Sequence, residues 1–334
     1  MSTLVHHKRN FFDFFPTPEY LEMPSVGIDI SDQAIRFVEI SRSSSGSQRF
    51  RLKSFGEKKI ADGVITSGFI NKPDEIKKLL SEISKEHDFR FVSVSLPEEK
   101  GYLFKTDLPN IAEKYFAENI ELRLEENVPI DVTKSVFDYN LVRPRGNSQH
   151  TEAVVTVVPD KVIGVYSDLF GDTSLIPVSY ELVTHAVTWA VVPQNELDAC
   201  LIAHIGDVRT GFGIVSDGIL QFTSTIDHVR AVEQVDIEKK QSALRDEVVK
   251  LKSYWQDHNE NEDNPIKRVI LSGKNAAVSG LKERLVEAVG CRVDLANVWV
   301  NAFNFDEQIP EMSFEDSLDY APAVGLAISR FYHA

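Results

Sequence analysis

Two short segments in separate halves of the chain place Asp and Gly at the end of a β-rich run. Gly27 and Asp29 lie in 26–30, and Gly206 and Asp207 follow 200–205. Backbone N–H groups of a tight turn can point at phosphate oxygens, and an Asp at a strand end can reach Mg2+ through water. Either turn could therefore take a phosphate group. Asp29 has an equally simple alternative, a buried carboxylate that caps its own loop. His204 sits on an apolar strand, where a satisfied core imidazole is the expectation rather than a ligand. His185 and His228 lie in no Cys/His/Asp cluster at metal-ligand spacing, so no zinc-type site is expected. Ser–His–Asp triads are defined by geometry, and the sequence singles out none. Cys200 and Cys291 are too few for a disulfide framework or a four-ligand zinc site, which makes a reducing cytoplasm the default.

Both turns need strands to position them. Runs 26–30 and 35–40 flank the polar stretch 31–34, a hairpin signal, and a flexible turn over 41–47 leads to a strand at 50–55. In the second half, 211–215 and 219–225 flank Asp217-Gly218, one of the strongest short hairpin signals. The likeness of 26–40 to 200–225 suggests a duplicated module. Between them, Ile76, Leu79, Leu80 and Ile83 mark one face of a helix over 71–85. A strand over 91–96 is stopped by Pro97, and Phe116, Ile120 and Leu124 mark a helix over 110–127. Strands are expected over 136–142 and 153–158, a helix over 161–169, and helix-like structure over 177–190. Residues 226–259 read as one long charged helix, or two, with Tyr254 and Trp255 as anchors; its outer face is also open to a partner. An acidic break over 259–264 precedes a buried strand 268–272, Gly273, a helix 276–289 and a final apolar helix 321–332. Residues 1–24 are an appendage in which Phe11, Phe12, Phe14 and Phe15 precede Pro16, Pro18 and Pro24. Such a tail packs on its own chain, or docks on a partner or a membrane surface.

The balance of 36 Lys+Arg against 51 Asp+Glu over 334 residues gives a net charge of −15, which argues against nucleic acid and against direct adhesion to anionic lipid. With 43% hydrophobic residues the chain is cored, and its length implies two or more domains. No apolar run approaches the roughly 20 residues of a membrane span, and no signal-peptide h-region is visible.

Taken in order, the motifs resemble one family. Residues 26–40 look like the first phosphate hairpin of the type IV pilus assembly protein PilM family, whose fold is the actin-like ATPase fold. Ala61-Asp62-Gly63-Val64-Ile65, Val94-Ser95-Leu96-Pro97, Thr106-Asp107-Leu108-Pro109, the stretch 125–130 and Phe137-Asp138-Tyr139 resemble that family's inserted subdomain. Residues 154–159, then 178–186 with Glu181, are similar to the return into the first lobe. Residues 202–226 resemble the second phosphate hairpin, 269–273 with Gly280-Leu281 the adenosine loop, and 323–327 the terminal Gly-Leu-Ala helix. The specificity lies in the order, which covers nearly the whole chain beyond residue 25.

The resemblance implies a two-lobed α/β actin-like (ribonuclease H-like) ATPase fold with an inserted α+β subdomain in the first lobe and a reduced second-lobe subdomain. The first lobe is expected from 25–47, 171–197 and 317–334, the insertion over 48–170, and the second lobe over 198–316 with 227–265 reduced to helix. ATP or ADP with Mg2+ is the implied cofactor. Its candidate contacts are Asp29, Ser31, Asp32, Gln33, Arg36, Gly206, Asp207, Thr210, Gly273 and Lys274, with Asp29 facing the metal indirectly. The departures fall on these residues. Ser31, Asp32 and Gln33 replace glycine and small hydroxyl residues, and Arg36 stands at a lysine position. His204 replaces an Asp, and Lys274 and Asn275 replace glycines. Two readings follow: weak nucleotide binding aided by Lys274 and Arg36, or a cleft kept as a structural relic. No catalytic residue is expected, and hydrolysis is at most weak. The implied function is a cytoplasmic scaffold of type IV pilus or related secretion machinery, peripheral to the inner membrane through a partner. That partner is the N-terminal peptide of a PilN-like inner-membrane protein, seated between the first lobe and the insertion; self-association through the tail is a further option. The rivals are an FtsA-like cell-division homologue, which normally ends in an amphipathic membrane helix, and a sugar or acetate kinase of the same superfamily, which needs an intact phosphate loop.

Overall fold

The computed structural model describes residues 25–42, 50–142, 151–227, 234–258, 264–304, 306 and 308–331. The aromatic tail over 1–24, most of the turn over 41–47 and nearly all of the acidic break after 258 lie outside the described residues. In chain order the strands are β1 (Ser25–Ile30), β2 (Ala34–Arg42), β3 (Phe50–Lys59), β4 (Ile65–Thr66), β5 (Phe69–Ile70), β6 (Phe91–Leu96), β7 (Tyr102–Leu108), β8 (Ser135–Val142), β9 (Thr151–Pro159), β10 (Ile176–Leu182), β11 (Cys200–Ile205), β12 (Arg209–Ser216), β13 (Ile219–Asp227), β14 (Arg268–Ser272) and β15 (Arg292–Leu295). The helices are α1 (Pro73–Glu86), α2 (Phe116–Asn127), α3 (Asp160–Asp168), α4 (Val183–Val191), α5 (Gln234–His258), α6 (Leu281–Val289), α7 (Phe314–Ser317) and α8 (Ala321–Ser329).

One five-stranded sheet runs β10-β6-β1-β2-β3 and a second runs β13-β12-β11-β14-β15. In each, a three-stranded antiparallel meander is extended on its first strand by two parallel strands. The duplicated module suggested by the two hairpins is thus a repeat of the whole sheet. Every residue of β1 is buried, as expected for a strand flanked on both edges and covered by helix. At the tip of the second hairpin Asp217 and Gly218 have φ of 57° and 73°, the left-handed pair that joins strands with the right twist.

Helices α4 and α8 pack together between the sheets, and all nine residues of α8 are buried. Their crossing depends on Gly325, where a Cβ would collide with the Ala186 carbonyl; Gly27 likewise makes room on β1 for the Ala323 carbonyl. A continuous core joins Val38 and Ile40 of β2 to β11, β12, β14 and α8. Helix α5 lays Leu244, Val248, Leu251 and Trp255 on this core at helical spacing. Among the described residues no helix is long and apolar enough to cross a membrane.

The insertion is smaller than the 48–170 expected. Strand β3 pairs with β2 and β6 pairs with β1, so both belong to the first-lobe sheet. Helix α3 rests on the same lobe through Tyr166. What remains independent is the sheet β7-β9-β8 with α2, closed around Leu108, Phe116, Ile120, Leu124, Val128, Ala153, Val155 and Val157. The helical reading of 177–190 also changes: Ile176–Leu182 is an edge strand and the helix starts at Val183. Pro177 is tolerated there because an edge strand leaves one row of backbone groups unpaired. Residues 276–280 form turns before α6, whose N-cap Gly280 has φ of 80°.

Candidate functional site

The first turn, residues 31–33, is closed by its own serine. Ser31 donates from N–H and from Oγ to the Ala34 carbonyl at 3.0 and 2.9 Å, and its Oγ accepts from the Ala34 N–H at 3.2 Å. Asp32 turns away to accept from the N–H groups of Ser67 (2.9 Å) and Gly68 (3.0 Å). Both of those residues have positive φ, 49° and 67°, which makes the turn a small anion-binding nest already holding a carboxylate. Asp29, only 4% exposed, accepts from Ser95 Oγ at 2.7 Å, and that oxygen accepts from the Ile30 N–H at 2.9 Å. Burial pushes the Asp29 pKa up to about 6, against the pull of the Arg36 guanidinium and the Ser95 hydrogen bond. Arg36 is buried and paired with Glu57 at 2.8 Å and with Asp319, under the ring of Tyr320.

The second turn, Gly206 to Arg209, is closed by the Gly206 N–H donating to the Arg209 carbonyl at 2.9 Å. Lys240 of α5 donates to the carbonyls of Gly206 (2.8 Å) and Asp207 (3.2 Å), and burial lowers its pKa to about 8. Asn275 Nδ2 donates to the Gly206 carbonyl (3.0 Å) and to Asp207 Oδ1 (2.8 Å). Lys274 Nζ stands 3.5 Å from the same carboxylate, and the Lys274 N–H donates to Asp319 at 3.2 Å. His204 lies against Ser272 Oγ at 3.1 Å, and burial, with Arg36 nearby, lowers its pKa to about 4, so the ring is neutral.

The two turns face one cleft. Of the ten candidate contacts, Asp29, Ser31, Asp32, Gln33, Arg36, Gly206, Asp207 and Lys274 line it. Thr210 and Gly273 do not. Thr210 is wholly buried on β12, and Gly273, with φ of 87°, allows its turn to press against the Ile205 backbone. The cleft also brings in Glu98, Glu99, Arg209 and Asp319, which the sequence reading missed. Glu98 accepts from the Thr184 N–H at 3.0 Å, the first turn of α4, which is a position that favours anions. Only the Glu-Glu-Lys stretch after Pro97, at the end of β6, hinted at carboxylates here.

An adenine nucleotide with Mg2+ fits this arrangement poorly. Six carboxylates (Asp29, Asp32, Glu98, Glu99, Asp207 and Asp319) meet three cations (Arg36, Arg209 and Lys274), all three already paired with carboxylates. The cavity between the turns measures about 140 Å³, and a second cavity of about 680 Å³ adjoins it, sharing Gln33, Arg36, Lys274 and Asp319, so the misfit lies in the charges rather than in the space. Among the described residues no group of three or more His, Cys, Asp or Glu is arranged to hold a metal ion.

Comparison with solved structures finds this fold in two chains at TM-scores of 0.50 and above. A chain of a PilM-PilN type IV pilus biogenesis complex matches with a TM-score of 0.75 at 16% identity, over 91% of this chain and 98% of that one. The ethanolamine utilization protein EutJ from Carboxydothermus hydrogenoformans matches with a TM-score of 0.50 at 9% identity, over 92% and 90% of the two chains. MreB 5 of Spiroplasma citri, solved with AMPPNP, has a TM-score of 0.49 at 10% identity over 93% and 97%. No curated protein matches significantly by sequence. The model of one family, described as type IV pilus assembly protein PilM, matches residues 27–228, more than half of the chain. This two-lobed, actin-like chain belongs to the type IV pilus assembly protein PilM family.

Proposed function

We propose that the protein is a scaffold on the cytoplasmic face of a pilus or related secretion machine, where it holds the N-terminal peptide of a PilN-like inner-membrane protein. The peptide lies in the groove between the first lobe and the inserted subdomain. The observation that carries this reading is the outer edge of β8. That strand pairs with β9 along its whole length, and among the described residues no strand pairs with its other edge. Helix α3 of the first lobe packs against β8, and each brings an exposed valine: Val136 is 48% and Val165 is 42% exposed. An extended segment adds main-chain hydrogen bonds to such an edge and seats alternate apolar side chains beside it. The solved PilM-PilN complex supports the kind of partner, and the net charge of −15 suits a peptide whose cytoplasmic flank is positive.

Calorimetric titration of the full chain with the first 20 or so residues of the partner tests the proposal. Micromolar binding is expected, and Val136→Asp is expected to weaken it at least about tenfold by placing a charge at the apolar contact. No heat at high micromolar peptide refutes the reading.

A further inference from the structure

The charges of the cleft form two continuous chains of contacts from lobe to lobe. On one side Asp32, in the first hairpin turn, holds the N–H groups of Ser67 and Gly68. Glu99 packs over that turn so closely that a Cβ at Gly68 would meet Pro97 and Glu99. Glu99 in turn pairs with Arg209 of the second hairpin, which also donates from Nε to Asp227 at 2.6 Å. The side chains of Arg209 and Glu99 are each 19% exposed, so the pair is only partly open to screening. On the other side Arg36 pairs with Asp319, Asp319 accepts from the Lys274 N–H, and Lys274 Nζ reaches Asp207.

We propose that this cleft is clasped shut by its own ion pairs, Arg209–Glu99 above all, and that its lobes stay closed without any nucleotide. In a two-lobed fold that grips a polyphosphate, the ligand and its cation tie the two turns together. Here a guanidinium and a ring of carboxylates make that tie. A polyphosphate entering the cleft would have to displace Asp32, Glu99 and Asp207 from their donors and stand beside them, and like charges at such distances repel strongly. The clasp does not depend on the peptide groove, which is formed by β8 and α3 rather than by the two turns.

Two measurements on the full-length protein test it. Titration with ATP and Mg2+ up to about 5 mM, a concentration that reports even millimolar affinity, is expected to give no saturable heat. Saturable binding in that range overturns the proposal. Hydrogen exchange is expected to be unchanged by ATP and Mg2+ in the wild type, and about three- to tenfold faster at the 206–209 turn and along 102–108 in Arg209→Ala. In a double-mutant cycle, Glu99→Ala is expected to add little to the faster exchange of Arg209→Ala, because each substitution already breaks the same pair. Exchange in Arg209→Ala that matches the wild type, or effects of Arg209→Ala and Glu99→Ala that simply add, overturns the clasp.

Discussion

Replacing Asp29 by Asn should stabilise the protein at neutral pH, and the gain should grow with pH over a defined window. Asp29 is buried beside Ser95, and its pKa rises from the ordinary 3.8 to about 6, chiefly because burial disfavours the carboxylate. A carboxyl whose folded pKa lies above its unfolded value helps the fold below pH 3.8, where both states are protonated. That help is lost as pH rises through 6, where folding must carry a buried negative charge. A difference of about two pKa units corresponds to about 3 kcal/mol at pH 7, and much less at pH 4. The amide of Asn mimics the protonated acid and keeps an acceptor for the Ser95 hydroxyl, which now lies 2.7 Å from Oδ1. Urea denaturation of wild type and Asp29→Asn at half-unit steps from pH 4 to 8 gives the comparison, since other carboxylates cancel in the difference. The gap is expected to widen by about 2 kcal/mol between pH 4 and 7 and to level off above. A gap that stays flat, or Asn that destabilises at pH 7, would refute the argument that burial outweighs the attraction of Arg36.

Three further substitutions probe the supports of the site. Gly325→Ala should cost about 1–3 kcal/mol or more in chemical denaturation, because the added methyl meets the Ala186 carbonyl at the α4–α8 crossing. Asn264→Ala should cost about 2 kcal/mol: its buried side chain accepts from the Ala199 N–H at 3.0 Å and donates to Ser216 Oγ at 2.9 Å, and both would lose a partner. Asp32→Ala should lower the thermal midpoint, at a cost of about 1–3 kcal/mol, by leaving the Ser67 and Gly68 N–H groups without their carboxylate.

Much of the fold was legible along the chain. The hairpin around 31–34, the Asp217-Gly218 turn, α1, α3 and the strands at 91–96, 136–142 and 268–272 announce themselves through period, turn residues and prolines, all local signals. The order of motifs pointed to the family because it follows the order of elements. Less was legible where neighbours in space decide. Residues 178–182 alternate apolar and polar, but the run is short and merges into the apolar start of α4; β6, by offering a parallel edge, makes it a strand. The insertion looked larger because the sequence cannot tell that β3 and β6 pair back into the first sheet.

The site divides in the same way. By itself the sequence determined which residues the two turns carry; packing decided that Asp29, Ser31, Asp32, Gln33, Arg36, Gly206, Asp207 and Lys274 line one cleft while Thr210 and Gly273 do not. Only the tertiary structure decided what those charges do. Whether Asp32 faces a ligand or the turn at 67–68, and whether Arg36 waits for a phosphate or pairs with Asp319, depends on groups 35 to 283 positions away along the chain. A charge has no chemistry of its own until its solvent and its nearest opposite charge are known, and both are set by packing.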